Sequence, residues 1–474
     1  MIGIILPLRL KISYLTNNYK YYEEQDTNMK EILKYFNDTG YQSFIVGGTV
    51  RDILMGNSPH DGDIATDANP EQIIDLAIFH NIKWIPTGID HGTISLIFNN
   101  EEIQITTFRI DKNEDGRHTD VAWTKDLYVD LSRRDFTINA MAMDINGNIF
   151  DPFRGKNDIQ NKIIRTVGNP IHRFIGDGKN KGDRHRTMRA IRLATTLDFK
   201  IDYLTWTAIK KVNINELDED GNRIISHERI HDELVKILQS PNRVNGFKLL
   251  DESGLLKQII PEIEDMKELA AGDKIHHPEK DIFIHTIAAL SHLDKDASIE
   301  LILATILHDI GKPPTWNNYH FHGHDEIGTK MSEEILRRLK FPLYIIENVK
   351  WLVLNHMRIH EFNKMRNAKK IRLIEEPLFE ELLDLLRADI MVVKDKSIIT
   401  DICNFRENYK KKSKPVTKLI NGHDVMAFGI PASPMIAEIL TSIEDLVLEG
   451  EIVTRDDALE FIENMIKING MCGC

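Results

Sequence analysis

Asp61 and Asp63, in the stretch HDGDIAT, stand one residue apart. If GDIAT is extended, both carboxylates point to the same face of a sheet, because side chains alternate along a strand. Two anions held side by side repel unless a divalent cation lies between them. Two Mg2+ ions bound in this way can activate a hydroxyl and stabilise a leaving pyrophosphate oxygen. The competing reading is a solvated turn carrying two surface aspartates.

Two further stretches carry chemistry of the same kind. In FIVGGTVRD an apolar run meets Gly47 and Gly48 and then a helix start, where free backbone N–H groups and the Arg51 fork can hold a phosphate. A plain turn is the other use of such a glycine pair. In DLSRRDFTINAMAMD, Arg133 and Arg134 set two guanidinium forks beside Asp135, and arginine suits triphosphate and ribose because its donors are planar and always charged. Downstream, GDRHRTMRAIRLA spaces Arg186, Arg189 and Arg192 three residues apart on one helix face after Asp183. A solvated face is the bland reading of that spacing.

A second constellation lies far along the chain. FIHTIAAL, LILATILHDIGKPP, FHGHDEIG, VLNHMRIH and LLRADIMVV bring His285, the adjacent His308 and Asp309, then His324, His356 and Asp389, in that order. Mixed nitrogen and oxygen donors of this type suit a divalent transition metal. His324 and His356 either complete a second metal position or bind phosphate. A helical scaffold without metal is the alternative.

The elements that must position these groups divide the chain. Residues 1–28 form an extension without periodicity, and translation starts at either Met1 or Met29; MIGIILPLRLKISYL is interrupted by Arg9 and Lys11 and offers no signal-peptide cleavage site. From Met29 an amphipathic helix runs to Gly40, and short β-branched runs such as TISLIF and IQITTF then alternate with turns to about residue 155. From 156 the apolar spacing is helical, through RAIRLATTL and HDELVKIL, to about 268. AGDKIHHPEK opens a histidine-rich helical block over 269–400, and YKKKSKP leads into a helical tail over 401–474. The fold class expected is α+β, a head with a small mixed sheet followed by all-helical parts.

Composition excludes some roles. With 474 residues, 42% of them hydrophobic and 28% charged, the chain fills two to four subdomains and has no uninterrupted apolar stretch long enough for a membrane span. A formal charge of −13 argues against a surface coated by nucleic acid, while RTMRAIR still allows a local positive groove. Three cysteines, Cys403 with Cys472 and Cys474, build no disulfide framework, so a reducing cytoplasm is the expected setting.

Taken together, GGTVRD, DGD, TGIDHGT, TTFRIDKNEDGRH, RRDFTINAMAMD, DPFRGKNDIQNKIIRTVGNP and DRHRTMRAIRLA stand in the order that marks the class II nucleotidyltransferases, and the chain resembles the bacterial-type CCA-adding enzymes and the related poly(A) polymerases. SHERIHDELVKIL and GLLKQIIPEI resemble that family's neck, and the histidine block looks like an HD phosphohydrolase domain. The resemblance implies a nucleotidyltransferase palm (29–155), a neck (156–268), an HD domain (269–400) and a tail; Mg2+ on Asp61 and Asp63; triphosphate at Gly47, Gly48 and Arg51; sugar or phosphate at Arg134. It further implies that Asp183 and Arg186 read the base, with Arg189 and Arg192 ordering that helix or meeting phosphate. The implied partners are tRNA, CTP and ATP. The HD site, with a second divalent metal, would act on 2′,3′-cyclic or 2′-phosphate ends.

The sequence departs from the family pattern at Gly182 and Gln104, where relatives carry Glu, and an insertion in RFIGDGKNKGDR precedes Asp183. PTGIDHGTISL, in place of a GRRF-like signature, favours CCA addition over poly(A) addition, and the loop from Arg109 to Asp120 favours a complete CCA enzyme over one adding C alone. An RNA-binding protein with a decayed transferase site is the remaining alternative.

Overall fold

A computed structural model of the chain describes residues 27–59, 62–112, 120–177, 182–267, 269, 281–317, 320–390, 397–411 and 418–468. Asp61, the tail cysteines Cys472 and Cys474, and most of the 1–28 extension lie outside the described residues, as do the AGDKIHHPEK loop and the core of the Arg109–Asp120 loop. The chain forms two compact units, one through Pro261 and one from Glu262.

The first unit opens on α1, residues 27–38, whose Met29, Ile32, Leu33 and Phe36 recur at helical spacing and are all buried. The sheet that follows contains β1 (Ser43–Val46), β2 (Gly62–Thr66), β3 (Lys83–Gly88), β4 (Thr93–Phe98), β5 (Glu101–Thr107), β8 (Ala142–Met143) and β9 (Ile149–Phe150), in the order β3-β4-β5-β2-β1-β8-β9. Between β5 and β8 the chain makes a separate hairpin, β6 (Arg109–Lys112) with β7 (Asp120–Trp123). Only the β2–β5 pairing is parallel among the pairs of this sheet, so the sheet is mixed as expected.

Register explains both faces. Ile45 pairs with Ile64, Ile64 with Ile105, and Ile105 with Ile94, so one row of isoleucines crosses four strands. That row packs with α1 and with α3 (Pro70–Phe79), which an Asn69 capping box starts, in a single core. On the opposite face the neighbouring row is polar: Asp63 pairs with Gln104, and Gln104 with Ser95. A small apolar cluster of Val46, Ala65, Phe108, Leu127, Leu131 and Ala142 supports that face. β3 gave no sequence signal, because it is an edge strand with Pro86 and mostly exposed side chains.

The remaining helices of this unit are α2 (Gly48–Leu54), α4 (Leu127–Ser132), α5 (Gly155–Gln160), α6 (Pro170–Phe174), α7 (His185–Leu197), α8 (Tyr203–Ile209), α9 (His227–Leu238), α10 (Arg243–Glu252) and α11 (Leu255–Ile259). The expected all-helical neck also holds one two-residue parallel pairing, Ile163–Ile164 with Lys200–Ile201, too short to register as a strand period.

In the second unit, α12 (Ile282–His292), α13 (Ile299–Leu307), α14 (Lys312–Thr315), α15 (His324–Arg338), α16 (Leu343–His360), α17 (Asn367–Ile374), α18 (Phe379–Ile390) and α19 (Ser397–Lys411) precede a tail of α20 (Gly422–Met426), α21 (Pro434–Glu449) and α22 (Arg455–Ile468). α13 is buried almost all round, from Ile299 to Leu307, and delivers His308 and Asp309 into the interior. The tail has its own core around Ile439, Ile443 and Ile462. Among the described residues, no helix is long and apolar enough to cross a membrane.

Candidate active sites in the two units

Head cavity. The polar face of the sheet opens into a cavity of about 670 Å3 whose lining includes Gly47, Gly48, Asp63, Arg109, Arg133, Arg134, Asp183, Arg186, Arg189 and Arg229. Gly47 forms the turn from β1 into α2 with φ 73° and ψ −138°. A Cβ there would lie 3.0 Å from Arg134 Nη1 and 3.5 Å from Asp63 Oδ2, so glycine is what lets the carboxylate and the guanidinium face each other across the backbone.

The arginines are held by buried carboxylates. Asp130 accepts from Arg133 Nη2 at 2.8 Å and from Arg134 Nη2 at 3.2 Å. Burial works against its ionisation, but the charges of Arg134 and Arg133 prevail and hold its carboxyl below the usual range. Asp135 is likewise buried, and Arg189, donating from Nε at 2.9 Å and Nη2 at 2.6 Å, keeps it ionised. Arg134 Nε is buried without a hydrogen-bond partner among the described residues, which leaves that fork a donor for an oxyanion. Arg109 donates from Nη1 to the His91 carbonyl at 2.6 Å, tying the TGIDHGT segment to the cavity.

Two of the residues expected at the nucleotide, Arg51 and Arg192, have guanidiniums paired within the protein, Arg192 in keeping with the helix-ordering half of its expectation. Arg51 forks onto Asp52 at 2.9 and 3.0 Å and donates to Asn139 at 2.9 Å, behind Gly48, and is not among the cavity's lining residues. Arg192 donates to the buried Glu233 at 2.5 Å and is also outside the lining. Both brace the walls because a carboxylate within reach claims each guanidinium. The bland reading of the three arginines as a solvated face is overturned: Arg186 is buried, and Arg189 and Arg192 are in ion pairs.

Asp183 caps the turn before α7, accepting from the His185 N–H at 3.0 Å, with Arg186 Nε 3.7 Å from its other oxygen. Gly182 has φ 67°, and a Cβ there would meet Gly176 N at 2.6 Å and Phe174 C at 2.8 Å. Glycine is therefore required at 182 both by the positive φ and by the close approach of the backbone from Phe174 to Gly176. His185, Arg229 and Arg109 were not singled out from sequence; a histidine between Asp183 and Arg186 was the only local signal for the first.

Histidine centre. In the second unit His285 Nε2 lies 2.8 Å from Asp389 Oδ1, and His308 Nε2 lies 3.2 Å from Asp309 Oδ2 and 3.8 Å from Asp389 Oδ1. On the other side of Asp309, Oδ1 is 3.6 Å from His324 Nε2 and 3.9 Å from His356 Nε2. Two donor groups result, His285–His308–Asp309 and Asp309–His324–His356, all buried and sharing Asp309. All six residues expected from the sequence thus converge.

The histidines fit a cation. His308, His324 and His356 each have Nδ1 2.6–2.9 Å from a backbone carbonyl, which places a proton on Nδ1 and, in the neutral His324 and His356, leaves Nε2 bare. The bare Nε2 atoms of His324 and His356 then face each other at 3.1 Å, an arrangement of two lone pairs that a shared cation would relieve. Burial and the charge of His308 push His356 down to about 3, and burial lowers His324. For His308 burial acts in the same direction, but Asp309 raises it to about 9. Lys312 donates to Asp309 at 2.7 Å and His360 Nε2 lies 2.8 Å from Asp389 Oδ2. Neither was singled out from sequence, although His360 follows His356 by one helical turn. Gly311 allows the approach, since a Cβ there would lie 2.1 Å from the His324 carbonyl oxygen.

A glycine turn, a cavity carboxylate and paired guanidiniums beside a mixed sheet mark the head as a nucleotidyltransferase, and the clustered histidines with Asp309 and Asp389 mark the second unit as an HD-type domain. A profile described as "Poly A polymerase head domain" matches residues 43–165, one described as "Probable RNA and SrmB- binding site of polymerase A" matches 198–267, and "HD domain" matches 274–392. The CCA-adding enzyme of Ligilactobacillus salivarius is 32% identical over 443 residues, 92% of this chain and 95% of that relative. That of Staphylococcus epidermidis is 29% identical over 445 residues, 93% of this chain and 98% of the relative. Among solved structures, the Bacillus stearothermophilus CCA-adding enzyme in complex with CTP matches with a TM-score of 0.66 at 26% identity, covering 94% of this chain and 98% of that one. The Thermotoga maritima CCA-adding enzyme complexed with tRNA shares the fold, with a TM-score of 0.60 at 20% identity and 92% and 94% coverage. The chain belongs to the CCA-adding enzyme family. Nucleotidyltransferases of this type use divalent metals.

Proposed function

We propose that this protein adds C, C and A to the 3′ end of tRNA from CTP and ATP, releasing pyrophosphate at each step. The observation that carries the reading is a single cavity in which Asp63, the Gly47–Gly48 turn, Arg133 and Arg134 share space with Asp183 and Arg186. Asp63 and Asp61 would hold Mg2+, which when bound lowers the cost of ionising the 3′-hydroxyl and offsets charge on the departing pyrophosphate. Gly47 and Gly48 let phosphate oxygens approach backbone N–H groups, and the Arg134 fork, with its buried Nε, neutralises the same oxygens. The hydroxyl attacks the α-phosphorus in line with the bond to pyrophosphate.

Base choice falls to the Asp183 carboxylate and the Arg186 guanidinium. The first accepts from the exocyclic amino group of cytosine or adenine, and the second donates to a ring or carbonyl acceptor beside it. Uracil and guanine present a carbonyl oxygen where the carboxylate needs a donor. Incubating tRNA that ends at the discriminator base with the protein, Mg2+ and all four nucleotides, then sequencing the 3′ ends, tests this. C, C and A followed by arrest is expected, with loss in Asp61→Ala and Asp63→Ala; a long adenosine tail would replace this reading with poly(A) addition.

The paired Nε2 atoms of His324 and His356 favour a second activity, metal-dependent hydrolysis of 2′,3′-cyclic or 2′-phosphate ends at the HD centre. His285, His308, Asp309 and Asp389 would hold one ion and Asp309, His324 and His356 the other. Metal analysis of the purified protein, with release of phosphate from 2′-phosphate-terminated RNA, tests it; absence of both would leave the domain a scaffold.

A further inference from the structure

The base-reading end of the head cavity contains a buried imidazole that the transfer reaction does not use. His185 Nδ1 lies 3.0 Å from Arg229 Nη2, while Nε2 lies 3.3 Å from the Arg229 carbonyl oxygen and 3.7 Å from Glu233 Oε1. A guanidinium nitrogen only donates, so Nδ1 must be the accepting nitrogen, and the imidazole proton sits on Nε2 facing two oxygens. Ser226 accepts from the Arg229 N–H at 3.3 Å and so fixes where that arginine leaves α9. The result is a guanidinium mounted with Nη2 3.8 Å from Asp183 Oδ1, the same oxygen that accepts from the His185 N–H at 3.0 Å.

We infer that His185 and Arg229 are positioning residues for nucleotide selection: the neutral imidazole mounts Arg229 against one oxygen of Asp183, leaving Oδ2 to accept from the amino group of cytosine or adenine. The inference rests on reading the cavity as a nucleotide site. It also supplies what Gly182 cannot, because the residue before Asp183 has no side chain with which to orient it. The charged groups around the imidazole are Arg229 and Glu233 from α9, with Asp183 and Arg189 at and within the start of α7. Burial first, and then the Arg229 charge, push the imidazole's pKa down, in keeping with the neutral form. Protonation would set an Nδ1–H against a guanidinium N–H across 3.0 Å, so the mount fails in acid.

The test compares kcat/KM for CTP and UTP on tRNA ending at the discriminator base, from pH about 8 downward to the lowest pH at which the protein still melts cooperatively, because the imidazole titrates below the ordinary value of about 6.5. In the unaltered protein the CTP preference should fall in acid. His185→Leu removes the acceptor and should lower the preference about tenfold at the higher pH, with no further acid loss. His185→Asn offers Oδ1 in place of Nδ1 and should restore the preference to within about threefold of wild type, now independent of pH. A His185→Leu enzyme with the wild-type preference, or an Asn variant as poor as Leu, overturns the inference. If His185→Leu shows no cooperative melt, Arg229→Leu decides by the same criterion, since it removes the Nη2 that lies against both His185 and Asp183. Failure of the unaltered protein to incorporate CTP or ATP at all would instead sink the nucleotidyltransferase reading, and this inference with it.

Discussion

Replacing Gly47 by alanine perturbs backbone and site together, and the two effects separate. At φ 73° and ψ −138° the residue occupies a region that a side chain enters only with strain of about 1–3 kcal/mol. The stiffer unfolded chain returns about 0.4–1 kcal/mol, so the net loss is about 1–2 kcal/mol and the head should melt about 2–8 °C lower. The new Cβ would also stand 3.0 Å from Arg134 Nη1, closer than ordinary contact. Arg134 can retreat only by pulling on Asp130, which is buried and shared with Arg133. Loss of one charge-assisted hydrogen bond to phosphate, about 1.5–3 kcal/mol, corresponds to a fall in kcat/KM for CTP of about 10- to 150-fold. Gly40→Ala is the control, because Gly40 has φ 87° and nothing within 4 Å, so it bears strain with no clash. Steady-state kinetics and thermal melting of the two variants check the reasoning. A Gly47→Ala enzyme that melts lower yet keeps kcat/KM within about twofold of wild type would falsify the placing of Arg134 at the phosphates.

Introducing the family's acid by Gly182→Glu should lower melting temperature and activity together, by more than about 1–3 kcal/mol in stability, since φ 67° and a contact of 2.6 Å to Gly176 N leave no room; a gain in activity would contradict that backbone path. In protein stripped of metal by chelation, His356, held at about 3 in the folded state against an ordinary 6.5, binds its proton in the unfolded chain first. Its stabilising effect is complete above about pH 6.5 and declines as pH falls towards about 3, while that of His308, raised to about 9, is complete below about 6.5 and is lost as pH rises through about 9. Melting curves against pH should therefore peak between those limits, and a flat profile would contradict the two protonation states. His360→Ala frees one oxygen of Asp389 and should weaken divalent metal binding by about 10- to 100-fold, measured by titration calorimetry; unchanged affinity would show that Asp389 is held without it.

Much of the site was legible because its residues sit next to structural punctuation. Gly47 and Gly48 mark the strand-to-helix turn, Asp63 follows on an alternating strand, and Asp183 precedes a helix whose apolar period is plain. His308 and Asp309 stand at the end of α13, whose uniform apolarity already requires burial. The order of His285, His308, Asp309, His324, His356 and Asp389 along the chain already marks the residues that converge in the histidine centre.

What the chain's own pattern determined, then, was element type, order and the residues able to do chemistry, since these follow from local period and side-chain type. How each guanidinium is held was decided only in three dimensions. Arg51 and Arg134 look alike in sequence, yet one is paired with Asp52 and Asn139 and the other has a buried Nε without a hydrogen-bond partner among the described residues. The partnership of His185 with Arg229, 44 residues away, and of Asp63 with Gln104 across a parallel pairing arise from helix packing and strand register. Gly182 reads as a lost acid until the backbone at Phe174 to Gly176 fills the space where its side chain would be. Contacts between distant segments depend on how buried surfaces close against one another, and no local spacing encodes that closure.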